Sequence, residues 1–207
     1  MGVGKKSLKS QNIIPLSGIV GACLLISWCI VYGIEGLDDY IGFVSELGGS
    51  AFILVISAWL ANILPAEIKH KIVFFRYTNS LPGHRFMRLI KKDSRIDLEK
   101  VATKYSFVEG KKYSAKEQNK IWYNDIYIPN QDHLLISNAH KSFLLYRDAS
   151  SVVILMSVFI LTINLYQDQI SPIFAVVLII EGVMLSIAAN SLGERFVTTA
   201  VAVSVSE

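Results

Sequence analysis

NQDHLLISNAHKSFLLYRDASSVVILMSVFILTINLY, Asn130 to Tyr166, decides the fold. Its first half is polar and ends on Arg147 and Asp148. From Ala149 onward it carries no charge. The pattern predicts one unbroken helix from His133 to Tyr166, about 50 Å long at ~1.5 Å per residue. Such a helix begins in a polar domain and ends across ~30 Å of hydrocarbon. Movement of the domain would pass along it into a bilayer.

Three more apolar runs accompany it: Ile13 to Ile34, Ile41 to Leu64, and Ile173 to Leu192. With Ala149 to Tyr166, each approaches the ~20 residues that a crossing requires. EGLDDY joins the first two runs and QDQISP the last two, so each pair is expected to form a helical hairpin. Hydrophobic residues make up 52% of the 207, more than is usual for a soluble protein of this size. The expected fold is mainly α: a four-helix transmembrane protein with an α-rich insertion between spans 2 and 3. Its parts are 1–64 (tail and first hairpin), 65–148 (insertion leading into span 3) and 149–207 (second hairpin and C-terminal tail).

Charge gives the direction. Sixteen of the twenty Lys and Arg fall between Pro65 and Asp148, while 11–64 and 149–193 have none. Lys5, Lys6 and Lys9 precede the first span and Arg195 follows the fourth. The short links carry Glu35, Asp38, Asp39 and Asp168 without a basic residue. The positive-inside rule then puts both termini and the insertion in the cytoplasm, in a multi-pass protein. Trp28, Tyr32, Tyr40, Trp59 and Tyr166 lie towards span ends, where amphipathic rings prefer to sit. Cys23 and Cys29, six apart in the first span, read as small buried apolar residues.

The insertion carries local signals. SLPGH, Ser80 to His84, is a turn. Asp97 is expected to cap a short helix over DLEKVATKYSF. SAKE, Ser114 to Glu117, is a capping box before QNKIWYNDIYI, which Pro129 is expected to break. EIKHKIVFFRYTN is expected to extend span 2 or follow the headgroups. Sixteen basic residues against nine acidic leave the insertion a surplus of seven. Membrane lipids are the expected partner of that surplus. A nucleic acid or nucleotide is a further candidate, although ordinary positive-inside bias explains the charge as well.

One carboxylate interrupts the fourth span. Glu181, nine residues past Pro172, lies about 13 Å deep at ~1.5 Å per residue. A charge there costs at least ~2.5 kcal/mol, and no Lys or Arg lies in any span. Hydroxyls at similar depth (Ser27, Ser50, Ser157) or a watered path are its two outlets. Small residues at helical spacing predict close helix approach: Ser17 with Gly21, Gly18 with Ala22, Gly182 with Ser186, and Ala189 with Gly193. They suggest a homo-oligomer.

No P-loop, GxGxxG, HExxH or GxSxG occurs. His70, His84, His133 and His140 lack zinc-ligand spacing. The expectation is a protein that is not an enzyme and has no cofactor or metal.

Two stretches carry a resemblance: VFFRYTNSLPGHRFMRLIKKDSRID (Val73 to Asp97) and QNKIWYNDIYIPNQDHLLISNAHKSFLLYRDAS (Gln118 to Ser150). Together they resemble small bacterial multi-pass membrane proteins of anti-phage defence loci, over about a third of the chain. The four-span layout also looks like the membrane subunits of Kiwa-type systems. The matched positions are Arg76, Asn79, Leu81, Pro82, Gly83, Arg85, Asp93, Arg95, Ile96, Asp97, Arg147 and Asp148. Arg95 with Asp93 and Asp97 suggests a charge-paired turn, and Arg147 sits at the mouth of span 3. The resemblance implies an inner-membrane sensor or effector with a cytoplasmic protein partner. A small oligomeric channel or transporter subunit, or a scaffold tethering a soluble partner, are the alternatives.

Overall fold

The structure is a computed structural model, which describes residues 7–46, 48–105, 112–166 and 170–206. Lys5, Lys6 and Asp168 lie outside it, as do the other residues of 1–6 and Glu207. Helices run in the order α1 (Leu8–Gln11), α2 (Ile13–Tyr32), α3 (Leu37–Glu46), α4 (Ser50–Ile63), α5 (Ala66–Phe74), α6 (Phe86–Ile90) and α7 (Leu98–Lys104). After them come α8 (Ala115–Ile121), α9 (Ile128–Asn130), α10 (Leu134–Asn164) and α11 (Pro172–Ser206). No strand occurs among the described residues.

Three helices are long and apolar enough to cross a membrane: α2, α10 and α11. α2 buries Leu16, Val20, Cys23 and Ser27, one stripe at helical spacing, and exposes Ile14, Ile26 and Ile30 on the other side. The second apolar run, expected as one helix over 41–64, is instead broken. Gly48 and Gly49 take φ of 89° and 66°, conformations open to glycine, and the chain bends by 73° between the halves. α4 alone, with 14 residues, measures about 21 Å, short of a bilayer core.

α10 and α11 form the backbone of the molecule. Phe143 meets Gly193, Ser150 meets Ser186 and Ile154 meets Gly182, so the two run antiparallel in one register. His133 caps α10 by accepting from the Leu135 amide. At 31 and 35 residues they measure about 46 and 52 Å, more than a hydrocarbon core needs. The excess enters the insertion. The apolar run ends at Leu192, where the sequence suggests a tail, yet α11 continues to Ser206. There Phe196, Val197, Ala200 and Val201 are buried among Phe86, Trp122 and Ile126. The insertion therefore folds around the C-terminal third of α11.

Local chemistry shapes the rest. Asp97 accepts from the amides of Glu99 and Lys100, and Ser114 and Glu117 make the reciprocal capping box. Pro129 does not break its helix. The turns from Trp122 to Tyr127 widen to π geometry, and the chain stays helical to Asn130, with proline in the first turn of α9.

Two cores result. One lies in the apolar bundle, built from Leu16, Val20, Ala61, Val152, Val153 and Leu178. The other lies in the insertion around Val73, Phe86, Val101, Trp122, Ile136 and Phe196.

Candidate functional site: a charge layer between two cores

Between Phe143, in the insertion core, and Ala149, in the bundle core, α10 presents Arg147 and Asp148. Both are buried, at 7% and 4% exposure, and so is Lys69 of α5, at 1%. Asp148 Oδ1 accepts from Lys69 Nζ at 3.0 Å, from Arg147 Nε at 3.1 Å and from Arg147 Nη2 at 2.9 Å. Lys69 Nζ also donates to the Ala61 carbonyl at the end of α4. Arg147 Nη1 lies 3.3 Å from His70 Nε2. His70 in turn stacks on Phe143, its ring centroid 5.9 Å away.

Electrostatics follow from this burial. Desolvation pulls the Lys69 ammonium below its usual range, and the Asp148 carboxylate opposes that pull. Burial, assisted by the Arg147 charge, lowers His70 to about 4. His70 is therefore neutral at pH 7 and offers Nε2 as an acceptor to Arg147. One carboxylate faces two cations in a water-poor layer, an arrangement that is costly unless every donor finds a partner.

Cavities of about 210 Å³ lie on either side of the layer. One touches Asp148, Lys9, Asn12 and Asn62. Here Lys9 Nζ donates to Asn62 Oδ1 at 2.6 Å, and Asn12 Nδ2 donates to the Lys141 carbonyl at 2.8 Å. The other touches Arg147 and is walled by rings.

The remaining motif positions are placed individually. Arg76 and Asn79 are exposed, in the turn after α5 where Asn79 has φ 53°. Pro82 opens a 3₁₀ turn over Pro82–Arg85. A Cβ on Gly83 would meet Asn119 Oδ1 at 2.5 Å and Trp122 Cε3 at 2.7 Å, so that turn needs glycine to close on α8 and the turn that follows it. Arg85 reaches Glu194 of α11 at 3.6 Å and lies 5.2 Å from the Phe74 ring centroid. Asp93 and Arg95 pair in two-pronged fashion, at 2.9 and 2.7 Å, and Arg95 Nη2 donates to Thr198 at 3.2 Å. Asp97 caps α7 instead of joining the pair. Leu81 borders the ring-walled cavity and Ile96 is buried in the insertion core. Arg85 and Arg95 thus fasten the insertion to α11, away from the Lys69–Asp148 layer.

In the bundle, Ser27 Oγ donates to Glu181 Oε2 at 3.0 Å, joining α2 to α11. Of the other hydroxyls considered for Glu181, Ser157 bonds the Ile154 carbonyl and Ser50 is exposed. The small residues of α11 are used within the chain. Gly182 lies against Ile154, Ser186 bonds Ser150 at 2.6 Å, Ala189 is fully buried, and Gly193 lies against Phe74 and Phe143. On α2, Ser17 bonds its own helix, Gly21 touches Ile53, and Gly18 and Ala22 face outward.

Lys69 and His70 escaped the sequence reading. Their signal is position: Lys69 is one helical turn before the buried Val73, whereas Glu67 and Lys71 pair on the exposed face at 2.9 Å. Among the described residues no three His, Cys, Asp or Glu side chains converge as a metal site would require. No protein-family model matches the chain, and neither a curated protein nor a solved structure is similar to it. Fold and site define a helical protein with membrane-compatible helices, whose polar insertion is joined to the apolar bundle through a buried ionic layer.

Proposed function

We propose that the chain is a non-enzymatic sensor or effector subunit of a bacterial anti-phage defence system. It sits in the inner membrane with four crossings, the bent α3–α4 pair making one of them. Both termini and the insertion are cytoplasmic. The observation that carries this reading is the shared hairpin: α10 and α11 belong to both cores, and α5 is latched to them by Lys69 and Asp148 at the boundary. A partner or ligand acting on the insertion has a stiff route into the bundle. The motifs that resemble defence-locus proteins supply the biological setting, and the outward Gly18–Ala22 face suits assembly of several copies.

The test is controlled expression in a bacterium, with and without phage, reading growth and membrane potential with a voltage-sensitive dye. The expected result is a wild-type chain that is silent until challenge and then depolarises the cell. An Asp148→Leu chain, inserted to the same level, should not respond. Equal phage sensitivity with and without the wild-type chain contradicts the reading. Reporter fusions at Gly36 outside and Lys112 inside check the topology, and the opposite pattern overturns it.

A second reading, a small oligomeric channel or transporter subunit, draws on the Ser27–Glu181 bond in the α2–α11 seam. It differs in requiring solute flux in uninfected cells. A pure scaffold would keep its function when unrelated anchors replace the spans.

A further inference from the structure

The cavity on the insertion side of the charge layer shares Arg147 and His70 with it, and its chemistry is specific. Its walls are rings. Trp122 and Tyr127 stack at 5.5 Å with planes 13° apart, and His140 and Phe196 stack at 4.5 Å and 8°. Gly83 borders it without a side chain, held as glycine by Trp122. Polar groups meet at two places. Tyr127 Oη and His140 Nδ1 pair at 2.9 Å on one, and Arg147 with His70 forms the other.

Charge at that second place is unbalanced. Arg147 spends Nε and Nη2 on Asp148, which also serves Lys69. Among the described residues Nη1 meets only the His70 ring nitrogen, leaving one of its two hydrogens for another acceptor. Two cations against one carboxylate leave a buried positive surplus, which an incoming anion would cancel. A volume near 210 Å³ is below the ~300–1,000 Å³ of pockets for drug-sized molecules, so one or two rings fit and a dinucleotide does not.

We propose that this cavity binds a small planar aromatic monoanion, its rings among Trp122, Tyr127 and Phe196 and its acid group on Arg147. The inference rests on the coupling role above and deepens it, because the ligand would sit on the residue that holds the latch. Its test is binding alone, so it fails or stands independently of any phage response.

The experiment is calorimetric titration of the full chain in micelles with indole-3-carboxylate, and with indole-3-carboxamide as its uncharged match. One acid should bind per chain, with the amide at least tenfold weaker. Arg147→Met should abolish the preference for the acid. Leu144→Trp, which fills the cavity and leaves the charges in place, should abolish binding with an unchanged melting curve. Equal affinity for acid and amide overturns the proposal. So does absence of one-to-one binding by the wild type, or binding that persists in a folded Leu144→Trp chain. Repeating the titration in nanodiscs of phosphatidylcholine, with and without phosphatidylglycerol, separates a lipid source. Loss of acid binding only with the anionic lipid assigns the site to a lipid phosphate and likewise overturns it.

Discussion

Asp148 carries more of the architecture than any other side chain, because two buried cations depend on one of its oxygens. Asp148→Leu strands both, and removing one partner of a buried ionic group costs about 3–5 kcal/mol. Lys69→Met should cost far less, since Arg147 keeps its carboxylate and the surplus charge disappears. Thermal unfolding in micelles is expected to rank wild type, Lys69→Met and Asp148→Leu in that order, the second close to the first. His70 adds a pH dependence. The charged and titratable groups acting on it are Lys69 of its own helix and Arg147, Asp148 and His140 of α10, and its folded pKa lies below the ~6.5 of an unfolded histidine. The unfolded chain therefore takes up the proton first. The contribution is complete above pH 6.5 and is lost as pH falls towards 4, at no more than ~1.4 kcal/mol per pH unit. Melting points recorded from pH 7 to 5 should fall in the wild type and fall less in His70→Phe.

At the scale of helices, the end of α11 separates this fold from a bundle with a loose tail. Phe196, Val197, Ala200 and Val201 are core residues, so truncation after Glu194 should unfold the insertion. Limited proteolysis would then cut within the insertion, whereas the full chain resists. In the bundle, Glu181→Gln keeps a group that Ser27 can bond, and assembly should persist. Glu181→Leu should insert normally yet lose the phage response proposed for the chain, and a fully active Glu181→Leu would mark Glu181 as a tolerated lipid-facing residue. Much at this scale was legible in local chemistry. Asp97 and the Ser114–Glu117 box act within one turn of chain, and His133 to Tyr166 advertises its helix by length and pattern. Other features were not. Residues 196–206 are rich in Val and Thr, poor helix formers, and become helical because most of them are buried in the insertion core. Gly48 and Gly49 look like ordinary small residues of an apolar run until their positive φ bends it. Pro129 suggests a stop, but the wider π turns before it absorb the missing amide.

Across the whole molecule, the candidate site arises where two cores abut, and no single stretch of sequence holds it. Arg147 and Asp148 stood out as charges at the mouth of a span. Lys69 and His70 join them only because α5 folds back onto α10, a contact that spans 79 residues of chain. On the reading proposed above, insertion and bundle form one mechanical unit, coupled through this layer and the α10–α11 hairpin. Single-tryptophan chains test it directly: Trp122 alone reports the insertion core, and Trp28 alone reports the bundle near Phe174. Unfolding of each is followed by its fluorescence in the same micelles. Coincident transitions are the expected result, because a cooperative unit gives one midpoint for every probe. Two separated midpoints, with Trp28 unmoved while the Trp122 environment melts, would contradict the account.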